Sequence, residues 1–437
     1  MQIVLLSGGS GKRLWPLSNE IRSKQFIPIF KQVDGSYLSM AQRVYRQIRT
    51  ALPEARVTVA TSKSQVAALR HQLGDDVRIS VEPCRRDTFP AIVLVSAYLK
   101  DVCRVSEEEP IAVCPVDPYV EAHYFRQVGE LARMAKDGMG NLALMGIEPT
   151  YPSAKYGYIV PRTGDRVAQV DSFVEKPDEK RAEELIQKGA LWNSGVFAYR
   201  LGYVLETAHR LLRFSGYDDL YANYAELSKI SFDYAVAEKE SDISVLRYRG
   251  TWKDLGTWNT FTEIMETPSI GDVTMDEDCR SVHVVNELDV PLLCMGLQDI
   301  VVAASPDGIL VSDKSHSSYI KPYVDGMDSQ LRIAEKSWGE FRVIDVGNES
   351  MTIRVTLHPG HAMNYHSHTR RSEVWTVIEG HGTATVDGVE RRIQAGDTVE
   401  IPVGARHTVS AGECTLKLIE VQVGKDISVE DKVKWRR

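Results

Sequence analysis

The opening run constrains this chain more than any other stretch. Met1–Leu6 is apolar and β-prone, which suits the first buried strand of a parallel sheet, and it runs straight into Ser7-Gly8-Gly9-Ser10-Gly11-Lys12-Arg13-Leu14-Trp15-Pro16-Leu17. Glycines in that place let backbone N–H groups close around an anion. Arg13 offers a planar fork to phosphate oxygens and Lys24 a point charge, so the segment reads as a clamp for a nucleoside triphosphate. Two better-known glycine loops fail on spacing. A P-loop would need glycine at Leu6 and Ser or Thr at Arg13, and the dinucleotide fingerprint would need a small residue at Leu14. A bare Gly-Gly-Ser-Gly is equally well explained as an ordinary βα turn. Arg13, Trp15-Pro16 and Lys24 tilt the reading toward the clamp.

The pattern downstream agrees with a nucleotide-binding α/β domain. Arg56–Ala60, Ile111–Cys114 and Leu142–Met145 read as strands, while Ser39–Thr50, Ser64–Leu73, Ala91–Val102 and Phe125–Lys136 have helical spacing. This alternation predicts a Rossmann-like, doubly wound parallel sheet with ligands at the carboxyl ends of the strands, where Gly8–Arg13 and Asp117 would lie. After Pro268 short alternating runs (Ser281–Val285, Ile300–Ala304, Ile309–Val311) suggest a small all-β connector, and about 335–437 reads as a compact β-barrel. A chain of 437 residues is too long for one ordinary core. Its net charge of −8 argues against a nucleic-acid or anionic-membrane partner. Six scattered cysteines with no Cys-x-x-Cys pair fit a reducing compartment, and neither a secretory leader nor a membrane-length apolar run is seen, so a soluble, cytoplasmic protein is expected.

Further motifs follow in a fixed order: Lys24-Gln25-Phe26; Glu82-Pro83 with Arg86-Asp87-Thr88 and Pro90-Ala91-Ile92; Pro115-Val116-Asp117; Tyr156-Gly157-Tyr158-Ile159; Phe173-Val174-Glu175-Lys176-Pro177; Trp192-Asn193-Ser194-Gly195-Val196-Phe197; and Trp252 through Trp258. With the glycine run they resemble the mannose-1-phosphate guanylyltransferases among the sugar-nucleotide pyrophosphorylases, including those fused to a phosphomannose isomerase domain. The resemblance is specific over about residues 1–265 and weaker beyond. It implies a nucleotidyltransferase domain (1–267), a short left-handed β-helix connector (268–334) and a cupin domain (335–437). It also implies transfer of GMP from GTP to mannose 1-phosphate, giving GDP-mannose and pyrophosphate, with magnesium as cofactor. GTP and a sugar 1-phosphate are then the partners, with a homodimer allowed.

The residues can be cast in that chemistry. Nucleotidyl transfer joins two anions, so positioning and charge neutralisation carry the work. Asp117 follows the apolar run Ile111–Cys114, which puts its carboxylate at a strand end where a hard cation finds oxygen ligands. Alone, an Asp before Pro118 is more often a turn former. Asp254 resembles the family's second magnesium-binding aspartate, and with Arg13 and Lys24 the pair makes the expected catalytic set. The nucleotide would be held by Gly8, Gly9, Gly11, Arg13 and Glu82, whose carboxylate can accept from guanine N1–H and its amine. The sugar phosphate would meet Gly157, Glu175, Lys176 and Asn193. Three positions depart from the family pattern beside the nucleotide: Asp87 for Asn, Phe89 for a small residue and Lys12 for Thr. They keep two alternatives open, a transferase for another sugar or polyol phosphate or another NTP, and a non-catalytic sugar-nucleotide sensor.

The C-terminal region carries its own signal. Gly360-x5-His366-x-His368-x4-Glu373-x6-Gly380, followed by Gly396-x5-Pro402-x-Gly404-x2-His407, has the spacing of two cupin motifs. His366, His368, Glu373 and His407 would converge on zinc or another divalent transition metal. The resembled isomerase domains share Lys336-Ser337-Trp338-Gly339 and Glu373-Val374-Trp375, and would interconvert fructose 6-phosphate and mannose 6-phosphate. They have Gln at His366, His at Val374, and Asp-Asp-Ile-Val-Arg where this chain has Glu430-Asp431-Lys432-Val433-Lys434. A metal-binding cupin is expected, without a claim to isomerase activity.

Overall fold

A computed structural model describes residues 1–9, 12–19, 21–327, 332–425, 427–428 and 431–435. By its contacts the chain forms two compact units, one of residues 1–10 and 23–266, the other of 11–22 and 267–437.

The first unit is built on a nine-stranded sheet. Its strands are β1 (Gln2–Ser7), β4 (Arg56–Ser62), β5 (Arg78–Glu82), β6 (Pro110–Pro115), β8 (Leu142–Ile147), β9 (Tyr158–Pro161), β10 (Val167–Val174), β11 (Leu191–Arg200) and β12 (Ile243–Tyr248). The hairpin β2 (Pro28–Lys31) and β3 (Tyr37–Ser39) and the pair β7 (Pro118–Val120) and β13 (Trp252–Asp254) lie outside it. The order is β5-β4-β1-β6-β11-β8-β12-β10-β9. Helices α1 (Met40–Ala51), α2 (Val66–Leu73), α3 (Thr88–Asp101) and α4 (Tyr124–Lys136) follow the βα alternation read from the sequence. Ser39 starts α1 with a capping box to Gln42.

The sheet is mixed where an all-parallel one was expected. β5, β4, β1 and β6 run parallel, but β11 lies antiparallel between β6 and β8. Nearly all of β11 is buried. Such a run has the same apolar pattern whichever way the chain travels, so composition could not reveal its direction. The main core runs from β1 and α3 through β6, β8 and β12.

The second unit holds two β structures. The short strands β14 (Ser269–Ile270), β16 (His283–Asn286) and β18 (Ile300–Ser305) stack in parallel, as do β15 (Val273–Met275) and β17 (Leu292–Cys294), and β19 (Gly308–Asp313) closes antiparallel on β18. Stacked parallel rungs around Val282, Val284, Cys294 and Val302 are those of a small β-helix. The segment after the glycine run docks here: Arg22 makes a two-pronged pair with Glu287 at 2.6 and 2.9 Å, and Ser305 Oγ donates to the Pro16 carbonyl at 2.7 Å.

The remaining strands form a two-sheet barrel. One sheet has six strands in the order β20-β21-β22-β29-β24-β27: β20 (Ile333–Lys336), β21 (Gly339–Val346), β22 (Ser350–Leu357), β24 (Arg371–Glu379), β27 (Thr398–Ile401) and β29 (Leu416–Gly424). The other has five, β26-β25-β28-β23-β30: β23 (His366–His368), β25 (His381–Val386), β26 (Val389–Gln394), β28 (His407–Ala411) and β30 (Lys432–Lys434). Inward residues alternate along β24 and β29, with Trp375, Val377, Leu416 and Leu418 in the core. No described helix is long and apolar enough to cross a membrane, and all six cysteines are free thiols.

Gly380 shows how tightly the barrel closes. Its φ of +80° is left-handed, and a Cβ there would lie 2.1 Å from the Thr415 carbonyl. Gly360 has a similar φ but open space around it. Gly360→Ala should therefore cost only the left-handed penalty, about 1–2 kcal/mol, whereas Gly380→Ala must also move backbone. Urea unfolding of the barrel should show a clearly larger loss for Gly380→Ala, and equal losses would contradict this packing.

Candidate functional site

The glycine run is anchored from beneath by a buried polar network. Ser23 Oγ and Gln65 Nε2 donate to the Gly9 carbonyl at 2.7 and 3.3 Å, Thr61 Oγ1 donates to the Ser7 carbonyl at 2.9 Å, and Gln25 Nε2 donates to Ser7 Oγ at 3.0 Å. With the Ser7 and Gly9 carbonyls taken up, the start of the run is held in place before a ligand arrives. Sequence reading missed Ser23, Thr61 and Gln65 and gave Gln25 no role of its own, since uncharged side chains around a motif carry no pattern that reveals what they hold.

A cavity of about 360 Å³ opens above this loop, lined among others by Gly8, Gly9, Lys24, Glu82, Arg85 and Asp117. Glu82, at the end of β5, is buried and accepts from the Tyr224 hydroxyl at 3.1 Å. Burial pushes its carboxyl above the usual range. A Cβ on Gly8 would come within 3.3 Å of Glu82 Oε1, so glycine there keeps the carboxylate face open. Gly11 lies outside the described residues. Arg13 is exposed on the 3₁₀ turn Lys12–Leu14, within the segment that packs with the second unit.

The two aspartates meet. Asp117 closes the turn after β6, and Asp254 ends β13, whose antiparallel pairing with β7 sets Asp254 opposite Pro118. Lys24 Nζ sits 2.7 Å from Asp117 Oδ2 and 3.6 Å from Asp254 Oδ1. Burial alone would raise the Asp117 carboxyl, but the Lys24 ammonium more than offsets it and holds the group below its ordinary value. Two carboxylates from distant parts of the chain thus meet at one ammonium, and paired carboxylate oxygens suit a divalent cation with oxygen preference.

A second cluster adjoins it. Gly157 leaves room for its neighbours: a Cβ there would lie 2.4 Å from Glu175 Oε2 and 3.3 Å from Asn193 Cβ, so a side chain would have to push the Glu175 carboxylate aside. Glu175 is buried and pairs with Lys176 Nζ at 2.9 Å. Asn193 donates to Asp233 Oδ1 at 2.7 Å, and its own Oδ1 accepts from Gly195 N–H at 3.1 Å. All four residues expected at the sugar phosphate thus lie together, joined by Asp233, which sequence reading passed over. Asp233 begins a π-helical turn, Asp233–Ala237, a feature enriched at functional positions. Burial and the neighbouring Glu175 push its carboxyl up to about 7. Tyr156 links the clusters, its ring 4.9 Å from Trp192 and 5.7 Å from Trp252, two residues before Asp254.

All three departures beside the nucleotide resolve into structure. Phe89 is buried in the main core, and Lys12 pairs with Asp325 at 3.0 Å. Asp87, at a φ of +70°, caps α3 by accepting from Thr88 N–H.

The barrel gathers its own set. His366 faces His407 across the β23–β28 pairing, and the ligand atoms of His366, His368 and His407 lie within 4.8 Å of one another. Glu373 reaches them from the other sheet, Oε1 at 3.1 Å from His368 Nε2 and Oε2 at 3.4 Å from His407 Nε2. Each Nδ1 lies against a backbone carbonyl, Asn364 at 2.6 Å, Asp431 at 2.8 Å and Ala405 at 2.9 Å. A carbonyl only accepts, so each Nδ1 carries the hydrogen and each Nε2 keeps a lone pair. Two of those lone pairs then confront the Glu373 carboxylate, an acceptor against an acceptor, and His407 Nε2 is a buried atom with no hydrogen-bond partner. A cation between them removes the conflict, so the residues fit a divalent metal. Burial, then Lys432, pushes His366 down to about 2, which keeps it neutral and ready to ligate. Arg371, also missed in the sequence, donates to Glu373 Oε1 at 3.3 Å and points Nη2 at His368 Nε2 at 3.2 Å. Glu430 lies outside the described residues.

Comparison with known proteins bears on both units. The nucleotidyl transferase family matches residues 2–269, and the mannose-6-phosphate isomerase C-terminal family matches residues 327–436. The alginate biosynthesis protein AlgA of Pseudomonas aeruginosa is 30% identical over 98% of this chain and 95% of its own length. The xanthan biosynthesis protein XanB of Xanthomonas campestris is 29% identical over 99% of this chain and 97% of its own. The mannose-1-phosphate guanylyltransferase of Escherichia coli K12 is 28% identical over 99% and 97%. Among solved structures, one described as mannose-1-phosphate geranyltransferase from Thermus thermophilus superposes with a TM-score of 0.62 at 29% identity, over 74% of this chain and 98% of that one. Matched by one family over more than half its length and by curated relatives from end to end, the chain belongs to the nucleotidyl transferases, in the mannose-1-phosphate guanylyltransferase branch, with a mannose-6-phosphate isomerase-type domain at its C-terminus.

Proposed function

We propose that this enzyme transfers GMP from GTP to mannose 1-phosphate in the cytoplasm, and that residues 1–267, 268–334 and 335–437 serve as transferase, connector and cupin. The observation that carries the reading is the convergence of Asp117 and Asp254 on Lys24 beside the glycine run. A phosphate oxygen of the sugar attacks the α-phosphorus in line, the bond to the β-phosphate breaks, and pyrophosphate leaves. Gly8, Gly9 and Gly11 wrap the phosphates, Arg13 and Lys24 neutralise the departing pyrophosphate, and Glu82 accepts from the guanine N1–H and amine. Glu175 and Asn193 take sugar hydroxyls, Lys176 holds the sugar phosphate, and Gly157 admits the sugar close to the backbone. Asp117 and Asp254 would hold magnesium, which when bound supplies the remaining positive charge on the phosphates. In the barrel, His366, His368, Glu373 and His407 would hold zinc or another divalent transition metal.

Three outcomes test it. Pyrophosphate release from GTP and mannose 1-phosphate should fall about 100-fold or more in Asp117→Asn and in Asp254→Asn, with the double variant little worse than either, because the two act as a unit. Retention of more than a tenth of the rate in either variant contradicts the assignment. Elemental analysis after dialysis against zinc should find about one ion per barrel, bound on the order of 100-fold more weakly in His407→Ala; an unchanged content in that variant contradicts the site. Asp233 retains its proton in the folded protein up to about pH 7 but loses it near pH 4 when unfolded. The folded state therefore binds more protons in that window, and stability falls as pH rises through it. Relative to Asp233→Asn, the wild type should lose urea stability between pH 5 and 8, and parallel curves would contradict this.

A further inference from the structure

Arg85 stands three residues past Glu82 on the loop from β5 to α3, half-buried, and lines the same cavity as Gly8, Glu82 and Asp117. In the sheet order β5 is three strands from β6. At about 4.8 Å per strand that is about 14 Å, so Arg85 and Glu82 occupy the end of the cavity away from Asp117 and Lys24. Arg85 is thus carried on the loop that follows the strand ending in Glu82, not on the one ending beside Asp117. Its field does reach Glu82, whose carboxyl it pulls back down against the effect of burial. A strong acceptor and a forked donor therefore line the same cavity.

One base matches both. Guanine offers N1–H and its amine to a carboxylate, and O6 with N7 to a guanidinium. Adenine sets an amine donor where guanine has O6, and pyrimidines have no N7. The geometry points to Arg85 as a second base-reading residue, donating to guanine O6 and N7 while Glu82 accepts from N1 and the amine. The inference rests on the GTP reading above and adds to it a specificity residue on the adjoining edge of the base.

The test pairs variants with altered nucleotides and reads pyrophosphate release from mannose 1-phosphate. Arg85→Met should lower kcat/KM for GTP about 10- to 100-fold, and Arg85→Lys should recover part of the loss as a single-point donor. With 7-deaza-GTP, which lacks N7, the wild type should already be impaired and Arg85→Met should lose several-fold less than it does on GTP. Equal losses on both nucleotides, as a merely structural role would give, overturn the inference. A wild-type preference for GTP over ATP, CTP and UTP that is undiminished in Arg85→Met also overturns it while leaving the GTP reading intact. A wild type without that preference overturns both.

Discussion

The transferase unit depends on one electrostatic problem, two carboxylates brought into a single crevice. Asp117 and Asp254 come from positions 137 residues apart, and Lys24 is drawn between them because their repulsion must be offset. The fold delivers each partner by a different device. β6 ends in a buried run that aims Asp117 at the carboxyl edge of the sheet, and the two-strand pairing of β7 with β13 carries Asp254 to the same place. The glycine run, fixed beneath by Ser23, Gln25, Thr61 and Gln65, brings backbone donors to the same edge. Charge neutralisation is what nucleotidyl transfer requires, and the proposed role of this cluster is to supply it.

The barrel solves a related problem with softer ligands. Three imidazoles on one sheet confront a carboxylate on the other, and backbone carbonyls at every Nδ1 dictate which nitrogen is left to ligate. Such preorganisation favours a transition metal over magnesium, whose preference is for oxygen. The same polypeptide thus gathers an oxygen-donor cluster and an imidazole-rich cluster, each in its own compact unit.

Much of this was legible in the sequence, for identifiable reasons. The alternation of β and α runs, the end of β1 in glycines, and the histidine and glutamate spacing of the barrel are local patterns, and local patterns are what composition and periodicity report. The antiparallel course of β11 was not legible, because a strand buried on both faces has no directional signature. Asp233 was hidden for another reason: its importance comes from Asn193 and Glu175, which are forty and fifty-eight residues away in the chain. Phe89 misled in the opposite direction. It departs from the family pattern beside the nucleotide, yet its ring is part of the core and leaves the pocket's chemistry untouched. Arg85 drew no notice because one more arginine in Arg85-Arg86 looks like a solvated face until the cavity is seen.

The most direct measurement of the central claim is an anomalous difference map from crystals grown with Mn²⁺ and a non-hydrolysable GTP analogue. The account predicts an ion at coordination distance from one oxygen of Asp117 and one of Asp254, with the Lys24 ammonium displaced toward the phosphates. An ion bound by only one of the two aspartates, or bound elsewhere while Lys24 still bridges the pair, would contradict it.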